Sequence, residues 1–350
     1  MKIHFTMFGI EMSGGTKIIL GHAHRLAEKG HKVTITTLGN KPKFRLFPFR
    51  VRVPITYLGD QFYQREGYPE PAIRALSQAT PDCDVNIATF SLTAFAVHRS
   101  GKGKGFYYMQ HFEPLFFSNN LYMERLVQGS YFLPLQKIVN SSWLKGQLRS
   151  KLQISTKEIP VLNSAIDLKL FHPMVKRDKE RVVVICMVRP MSWKGFADAE
   201  AAMEQVRKIR PQVEFWVFCQ PGSKLRPRFA TRVFQTLSEK DLAKLYAEAD
   251  ILLSPSWYES SPLLVLEGLA SGTVVITTPI GTEDIIFHRK NGWVVPPKEP
   301  QILGKAILHL VERPKLRRDL RRAGLRTVKQ FSWEIANKKL ERILQVGVNK

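Results

Sequence analysis

Residues 251–281 read ILLSPSWYESSPLLVLEGLASGTVVITTPIG, two apolar strand-like runs with a helical pattern between them. Asp250 leads into residues 251–253, short and wholly apolar as a buried parallel strand should be. A loop follows over 254–260. Ser261 then reads as the N-cap of a helix with Pro262 at its first position: a serine hydroxyl satisfies first-turn N–H groups, and proline has no N–H to lose there. Ser271 and Gly272 should close the helix, and residues 273–278 form the next β-branched strand. Between Ser260 and Thr282 the only charged side chain is Glu267, set among Leu263, Leu264, Leu266, Leu269 and Ala270. A carboxylate in such company needs a hydrogen-bonding partner, because an unpaired buried charge is costly. Glu259 stands just before the helix, with seven residues between the two acids.

One acid in a loop, one on a helix, and first-turn amides between them suit a phosphorylated sugar. A helix N-terminus binds phosphate through its N–H groups and dipole, while the carboxylates accept hydrogen bonds from hydroxyls. Two isolated glutamates would fit a plain amphipathic helix equally well, with Glu267 satisfied by a neighbour and Glu259 in solvent. The whole run, strand–ESSPLLVLE–helix–GT–strand–TPIG, is far more specific than that spacing.

Glu259-x7-Glu267, followed by Ala270-Ser-Gly-Thr-x5-Pro279-x-Gly281 and Asn291-Gly292, resembles the donor-site signature of retaining GT-B glycosyltransferases of family 4, the glycosyl transferases group 1. The resemblance implies an α/β fold of two facing Rossmann-like domains with the site in the cleft between them. It implies a hexosyltransferase that moves a sugar from a nucleoside diphosphate (UDP, GDP or dTDP) to an acceptor hydroxyl with retention, and without a metal or other cofactor. It also gives roles to residues elsewhere. Lys194, in the run RPMSWKG after the β-branched residues 181–188, stands where the family keeps its phosphate-binding lysine, and Arg189 where it keeps its arginine. With the amides of Leu263 and Leu264 they would stabilise the diphosphate. Glu267 would hold ribose hydroxyls and Glu259 those of the transferred sugar. Ser260 and Ser261 would sit beside the donor, and the base would lie near residues 233–236, against Phe234.

The first half opens with a βαβ pattern: a strand over 2–8, a loop over 9–16 (GIEMSGGT), a helix over 17–29 and a strand over 33–37. It lacks the G-x-G-x-x-G dinucleotide fingerprint, but Gly14 and Gly15 allow a close approach of ligand to backbone, and in the family this loop faces the donor. Residues 106–117 (FYYMQHFEPLFF) read as a strand ending in Gln110, His111 and Glu113, where open α/β folds put chemistry. Family members often carry a single His there, so the residue at the reacting sugar is either Gln110 or His111, with Glu113 shaping the acceptor side. Asp82-x-Asp84 has the spacing of a metal-binding pair but precedes its strand, the wrong end for a site.

Residues 161–173 (VLNSAIDLKLFHP) resemble the family's N-G-V-D-x-x-x-F-x-P linker, with Ser164-Ala165 in place of Gly-Val. The expected domains are therefore 1–165, binding acceptor, and 166–331, binding donor, with a helix over 332–350 packing back on the first. Ser238-x-x-Asp241 reads as a capping box opening a helix over 241–248, and residues 281–284 as the start of another. Residues 313–329 (RPKLRRDLRRAGLRTVK) are basic and helical, in keeping with a solvated face.

At 350 residues, 44% of them hydrophobic, the chain calls for two globular domains. No apolar run approaches the roughly 18 residues of a spanning helix, and MKIHFTMFG leads into a strand rather than a signal peptide. Three cysteines, Cys83, Cys186 and Cys219, suit buried thiols of a cytoplasmic protein. The net charge is +23; residues 1–170 carry 22 Lys and Arg against 11 Asp and Glu, net +11, so both halves are basic. No nucleic-acid motif accompanies that charge. Residues 41–53 (KPKFRLFPFRVRV) interleave basic and apolar side chains, either as a strand with a solvated basic face or as a patch for anionic lipid headgroups. The latter would suit a glycan or lipid-linked acceptor in cell-surface polysaccharide synthesis and peripheral membrane association. The alternatives are a GT-B epimerase or phosphorylase, or a basic nucleic-acid-binding Rossmann protein whose affinity would fall steeply with salt.

Overall fold

The computed structural model describes residues 1–41, 52–62, 69–174, 181–219, 227–235 and 238–349. Most of the basic and aromatic stretch 41–53 lies outside them, as does Thr236. The chain divides into two units, Met1–Asn163 with Glu334–Lys350, and Ser164–Trp333.

In the first unit the strands are β1 (Lys2–Met7), β2 (Lys32–Thr37), β3 (Ile55–Tyr57), β4 (Val85–Ala88), β5 (Lys104–Met109) and β6 (Gln136–Val139). They pair in parallel in the order β3-β2-β1-β4-β5-β6. Between them run α1 (Gly14–Glu28), α2 (Glu70–Gln78), α3 (Ser91–Ser100), α4 (Leu121–Ser130) and α5 (Ser142–Leu152). The second unit repeats the plan with β7 (Val183–Val188), β8 (Glu214–Cys219), β9 (Arg232–Gln235), β10 (Ile251–Ser254), β11 (Val274–Thr277) and β12 (Trp293–Val294). Their parallel order is β12-β11-β10-β7-β8-β9. Its helices are α6 (Phe196–Ile209), α7 (Glu239–Glu248), α8 (Leu263–Ala270), α9 (Pro300–Val311) and α10 (Pro314–Thr327). Both sheets are Rossmann-like, and each reverses its strand order once, between β1 and β4 and between β7 and β10.

Parallel strands at the centre of such sheets, under helices on both faces, bury nearly all their side chains, while the edge strands β3, β9 and β12 stay partly exposed. Along β7, Val184, Cys186 and Val188 join one apolar cluster while Val183 and Ile185 join the other. Ile251, Leu252 and Leu253 of β10 are wholly buried. The last helix, α11 (Trp333–Val348), buries Ala336, Asn337, Leu340 and Leu344, one face at helical spacing. It is fastened to the first unit by polar contacts: His22 Nδ1 to Asn337 Oδ1 at 2.8 Å, and Glu341 with both Lys29 and His31 at 2.8 Å. Burial lowers the His22 pKa to about 4, so this histidine is a neutral hydrogen-bonding group. Where the chain enters and leaves the second unit it pairs with itself, Ile166 N–H donating to Phe331 O at 2.9 Å.

Several local expectations are corrected. Gly14 and Gly15 form the first turn of α1 rather than a preceding turn, because Ser13 caps that helix by accepting from Thr16 N–H. The strand of residues 106–117 stops at Met109, and residues Glu113–Phe117 turn as a 3₁₀ helix. Residues 281–284 form turns instead of a helix, since Gly281 adopts φ +80°, outside the α-helical region. Asp84 and Asp82 lie at the amino end of β4. Asp84 accepts from Lys2 N–H at 2.7 Å and Asp82 pairs with Lys102 at 3.3 Å. Cys186 and Cys219 are buried and Cys83 half-buried, all free thiols. Among the described residues no helix is long and apolar enough to cross a membrane.

Leu252 fills the space between the β10–β11 layer and α8. Truncating it leaves a cavity the surrounding sheet cannot close, so Leu252→Ala should lower stability by about 2–5 kcal/mol, read as a lower urea midpoint.

Candidate functional site

Because the sheet of the second unit buries both faces, polar side chains gather where the chain leaves β7 and β10, at the carboxyl side of the strand-order reversal. The loop after β7 carries Arg189 to Gly195, and the loop after β10 carries Pro255 to Ser261. They are laced together. Trp257 N–H donates to Trp193 O at 2.7 Å, and the Trp193 and Tyr258 rings stack 6.2 Å apart. Gly195, at φ +67°, lies so close to Pro255 that a Cβ there would fall 2.1 Å from the Pro255 carbonyl oxygen. Trp257 Nε1–H in turn donates to Asp198 of α6 at 2.9 Å.

This lacing brings Lys194 and Glu259, 65 positions apart, to 2.7 Å, Nζ to Oε1. Their side chains are 20% and 17% exposed, so the pair is screened far less than a surface ion pair. Ser256 Oγ–H donates to the same carboxylate oxygen at 2.8 Å. From the other side, Glu259 N–H donates to Ile280 O at 3.1 Å. Gly281 packs against this backbone, and a Cβ on it would lie 1.8 Å from Glu259 O, which together with its positive φ leaves no room for a side chain.

Ser261 is not the cap of α8. It sits at φ +63°, its Oγ accepts from Ser164 N–H at 3.0 Å, and its carbonyl accepts from Ser164 Oγ–H at 2.9 Å. The hydroxyl is therefore spent on the linker, and Pro262 occupies the cap position without a side-chain bond to the helix. The first-turn amides of Leu263 and Leu264 thus belong to a helix end whose cap residue, Pro262, offers them no side-chain bond, beside buried Ser260 and Ser261. One turn on, Glu267 is buried at 7% exposure, and Tyr246 of α7 donates its O–H to Glu267 Oε2 at 3.4 Å. Arg189 is half-buried, its Nε 3.1 Å from Met187 Sδ, and its charge reaches Tyr246. Phe234 on β9 packs its ring 5.6 Å from Trp216.

In the first unit the strand-order reversal lies between β1 and β4, and Gln110 follows neighbouring β5. Its side-chain amide lies 3.2 Å from where a Cβ on Gly15 would stand, and its carbonyl accepts from Asn140 Nδ2–H at 2.7 Å. Gln110 and Gly15 are therefore neighbours, with Gly14 adjacent. His111 turns to another set of partners, stacking on Phe116 at 4.7 Å and meeting the edge of Trp143 at 5.5 Å. Glu113 is no surface acid. It is 2% exposed, accepts from Ser91 N–H at the start of α3 at 2.7 Å, and has Tyr107 O–H at 3.4 Å. Burial pushes its pKa up to about 8 despite the Ser91 amide.

Ser256 and Tyr246 escaped the sequence reading, and Ser164 was seen only as a departure in the linker, not as the partner of Ser261. Ser256 could have been noticed three residues before Glu259; Tyr246 and Ser164 meet their partners only through the fold.

Residues 180–313 match the family model for glycosyl transferases group 1. Over that part the chain is similar to that family. Relatives of the chain include D-inositol 3-phosphate glycosyltransferase of Segniliparus rotundus, 27% identical over 60% of this chain and 55% of that protein. Another is MMP alpha-(1->4)-mannosyltransferase of Mycolicibacterium hassiacum, 28% identical over 55% of this chain and 50% of that protein. The chain thus spans about half the length of the curated relatives it matches. Sucrose-phosphate synthase from Thermosynechococcus elongatus superposes with a TM-score of 0.83 at 17% identity, over 99% of this chain and 98% of that one. HepE of Anabaena in complex with UDP-glucose gives 0.80 at 17%, over 99% and 100%. The fold is GT-B, two Rossmann-like domains.

A glutamic acid whose folded pKa lies near 8, against an ordinary 4.5, binds its proton more tightly in the folded state. Its contribution to stability is full below the ordinary value and is lost as pH rises toward about 8. Glu113→Gln, which keeps the acceptor for Ser91, should flatten that decline in urea midpoints measured between about pH 5 and pH 8.

Proposed function

We infer that the protein is a retaining glycosyltransferase that moves a hexose or deoxyhexose from a nucleoside diphosphate to a hydroxyl of a glycan or lipid-linked acceptor. The observation that carries this reading is the Lys194–Glu259 pair at 2.7 Å beside the amino end of α8, with Glu267 buried one turn along. The match of residues 180–313 to the group 1 family model supports it, as do the glycosyltransferase relatives. HepE, crystallised with UDP and with UDP-glucose, makes a uridine donor the first to try.

In this reading the donor diphosphate lies against the amides of Leu263 and Leu264, with Arg189 and Lys194 compensating its charge. An ammonium has three donors, so Lys194 can hold Glu259 with one and reach phosphate oxygen with another. Glu267, with Tyr246 behind it, accepts from ribose hydroxyls. Glu259, steadied by Ser256 and Lys194, accepts from hydroxyls of the transferred sugar and favours positive charge developing at its anomeric carbon. The base lies near Phe234. Such preorganised donors and charges stabilise the leaving group without reorganising during the reaction. The bond from the anomeric carbon to the diphosphate oxygen breaks as the acceptor oxygen bonds on the same face. The acceptor proton passes to the departing phosphate, which gives retention without an enzymatic nucleophile. Gly14, Gly15 and either Gln110 or His111 serve the sugar from the first domain. No metal takes part, and the enzyme works in the cytoplasm, at the inner face of the membrane when its acceptor is lipid-linked.

Lys194→Ala and Glu267→Gln should each lower kcat/KM for donor by about 10²–10³ while circular dichroism and Tm stay near wild type. Undiminished transfer by either variant would contradict these roles. Activity should survive EDTA, and a loss restored by added divalent cation would overturn the metal-free reading.

A further inference from the structure

At the other end of β10 from Glu259, where the chain enters that strand and β11, the second domain holds a small cavity lined by Asp250, Gly272, Val274, Arg317, Arg318 and Arg321. The arginines come from α10, which carries six basic residues against the single acid Asp319. Three observations decide what the cavity can hold. Its charges do not cancel: Arg317 faces Asp250 and donates to the last carbonyls of α9, including Val311 O at 2.6 Å, so that cation is spent on structure. Asp250 is likewise engaged, accepting from Val183 N–H at 3.0 Å. Asp319 pairs outward with Arg322 at 2.7 Å, and among the described residues neither Arg318 nor Arg321 has a carboxylate partner.

The second observation is placement. Arg321 lies across Gly272, its Nε 2.8 Å from where a Cβ would stand, so the glycine seats this guanidinium against the backbone. The third is size. At about 130 Å³ the cavity is well below the roughly 300 Å³ at which pockets for drug-sized molecules begin. A nucleotide sugar is excluded, and a single tetrahedral anion fits.

We propose that this cavity is a phosphate-group site, with Arg318 and Arg321 as its two ligating guanidiniums, separate from the site at the carboxyl ends of β7 and β10. Guanidinium forks match phosphate oxygens in pairs. The phosphate is either a lipid headgroup or a free phosphate, and the two sources can be told apart.

The test compares wild type, the double variant R318Q/R321Q and a control, K338Q/K339Q, that removes two exposed charges from α11. In co-sedimentation, vesicles of phosphatidylcholine with about one third phosphatidylglycerol are set against phosphatidylcholine alone. A headgroup site predicts that R318Q/R321Q binds the anionic vesicles about thirty-fold more weakly, five-fold per arginine, while the control stays within about two-fold. In thermal shift with inorganic phosphate at matched ionic strength, a free-phosphate site predicts that only R318Q/R321Q loses the part of the shift belonging to this cavity. Loss in the first assay assigns a lipid source, and loss confined to the second assigns free phosphate. If R318Q/R321Q matches the control in both assays, the proposal is overturned. The Lys194 and Glu267 variants leave these residues untouched, so failure here and failure of the donor-site reading are distinguishable.

Discussion

A parallel sheet covered on both faces has no side-chain position left for chemistry, because each residue of a strand such as Val183–Val188 points into one apolar layer or the other. Polar work is confined to the loops at the strand ends. Only where strand order reverses do two successive loops diverge enough to leave a crevice. In the second domain that point lies between β7 and β10, and it is where Lys194 and Glu259 meet.

Holding the two loops in register is the costly part, and backbone does it more than side chains. Gly195 against Pro255 and Gly281 against Glu259 are approaches closer than any Cβ permits, both at positive φ. Ser261 adopts the same left-handed region with a side chain, held there by two hydrogen bonds to Ser164. Residues kept in a sparsely populated conformation by converging contacts are characteristic of functional loops. The consequence is a helix whose cap position falls to Pro262, which has no side-chain bond to give its amides, where a serine cap would have had one.

Most of the secondary structure was legible. Residues 251–253 and 273–278 correspond to β10 and β11, and the Ser238 cap and the amphipathic helix near the C-terminus were visible because apolar period and capping chemistry are local properties. Errors fell where backbone conformation is set from outside the segment. Gly281 follows a strand and precedes Asp284, which suggests a helix start, yet packing on Glu259 holds it in the left-handed region. Ser261 has the look of a cap, but its partner, 97 positions away, claims the hydroxyl. The pair Gln110 and His111 looked interchangeable in sequence; the fold gives Gln110 to Gly15 and His111 to Phe116 and Trp143.

From the order of residues alone came two α/β halves of similar charge, a family resemblance resting on Glu259, Glu267, Arg189 and Lys194, and the need of Glu267 for a partner. These follow from short-range rules: periodicity, caps, and the cost of burying a charge. Which groups meet was decided by tertiary structure, since Lys194 with Glu259, Tyr246 with Glu267, and Arg321 over Gly272 join segments that share no local signal. Contacts of that kind depend on strand order and helix packing, which place distant residues within a few ångströms.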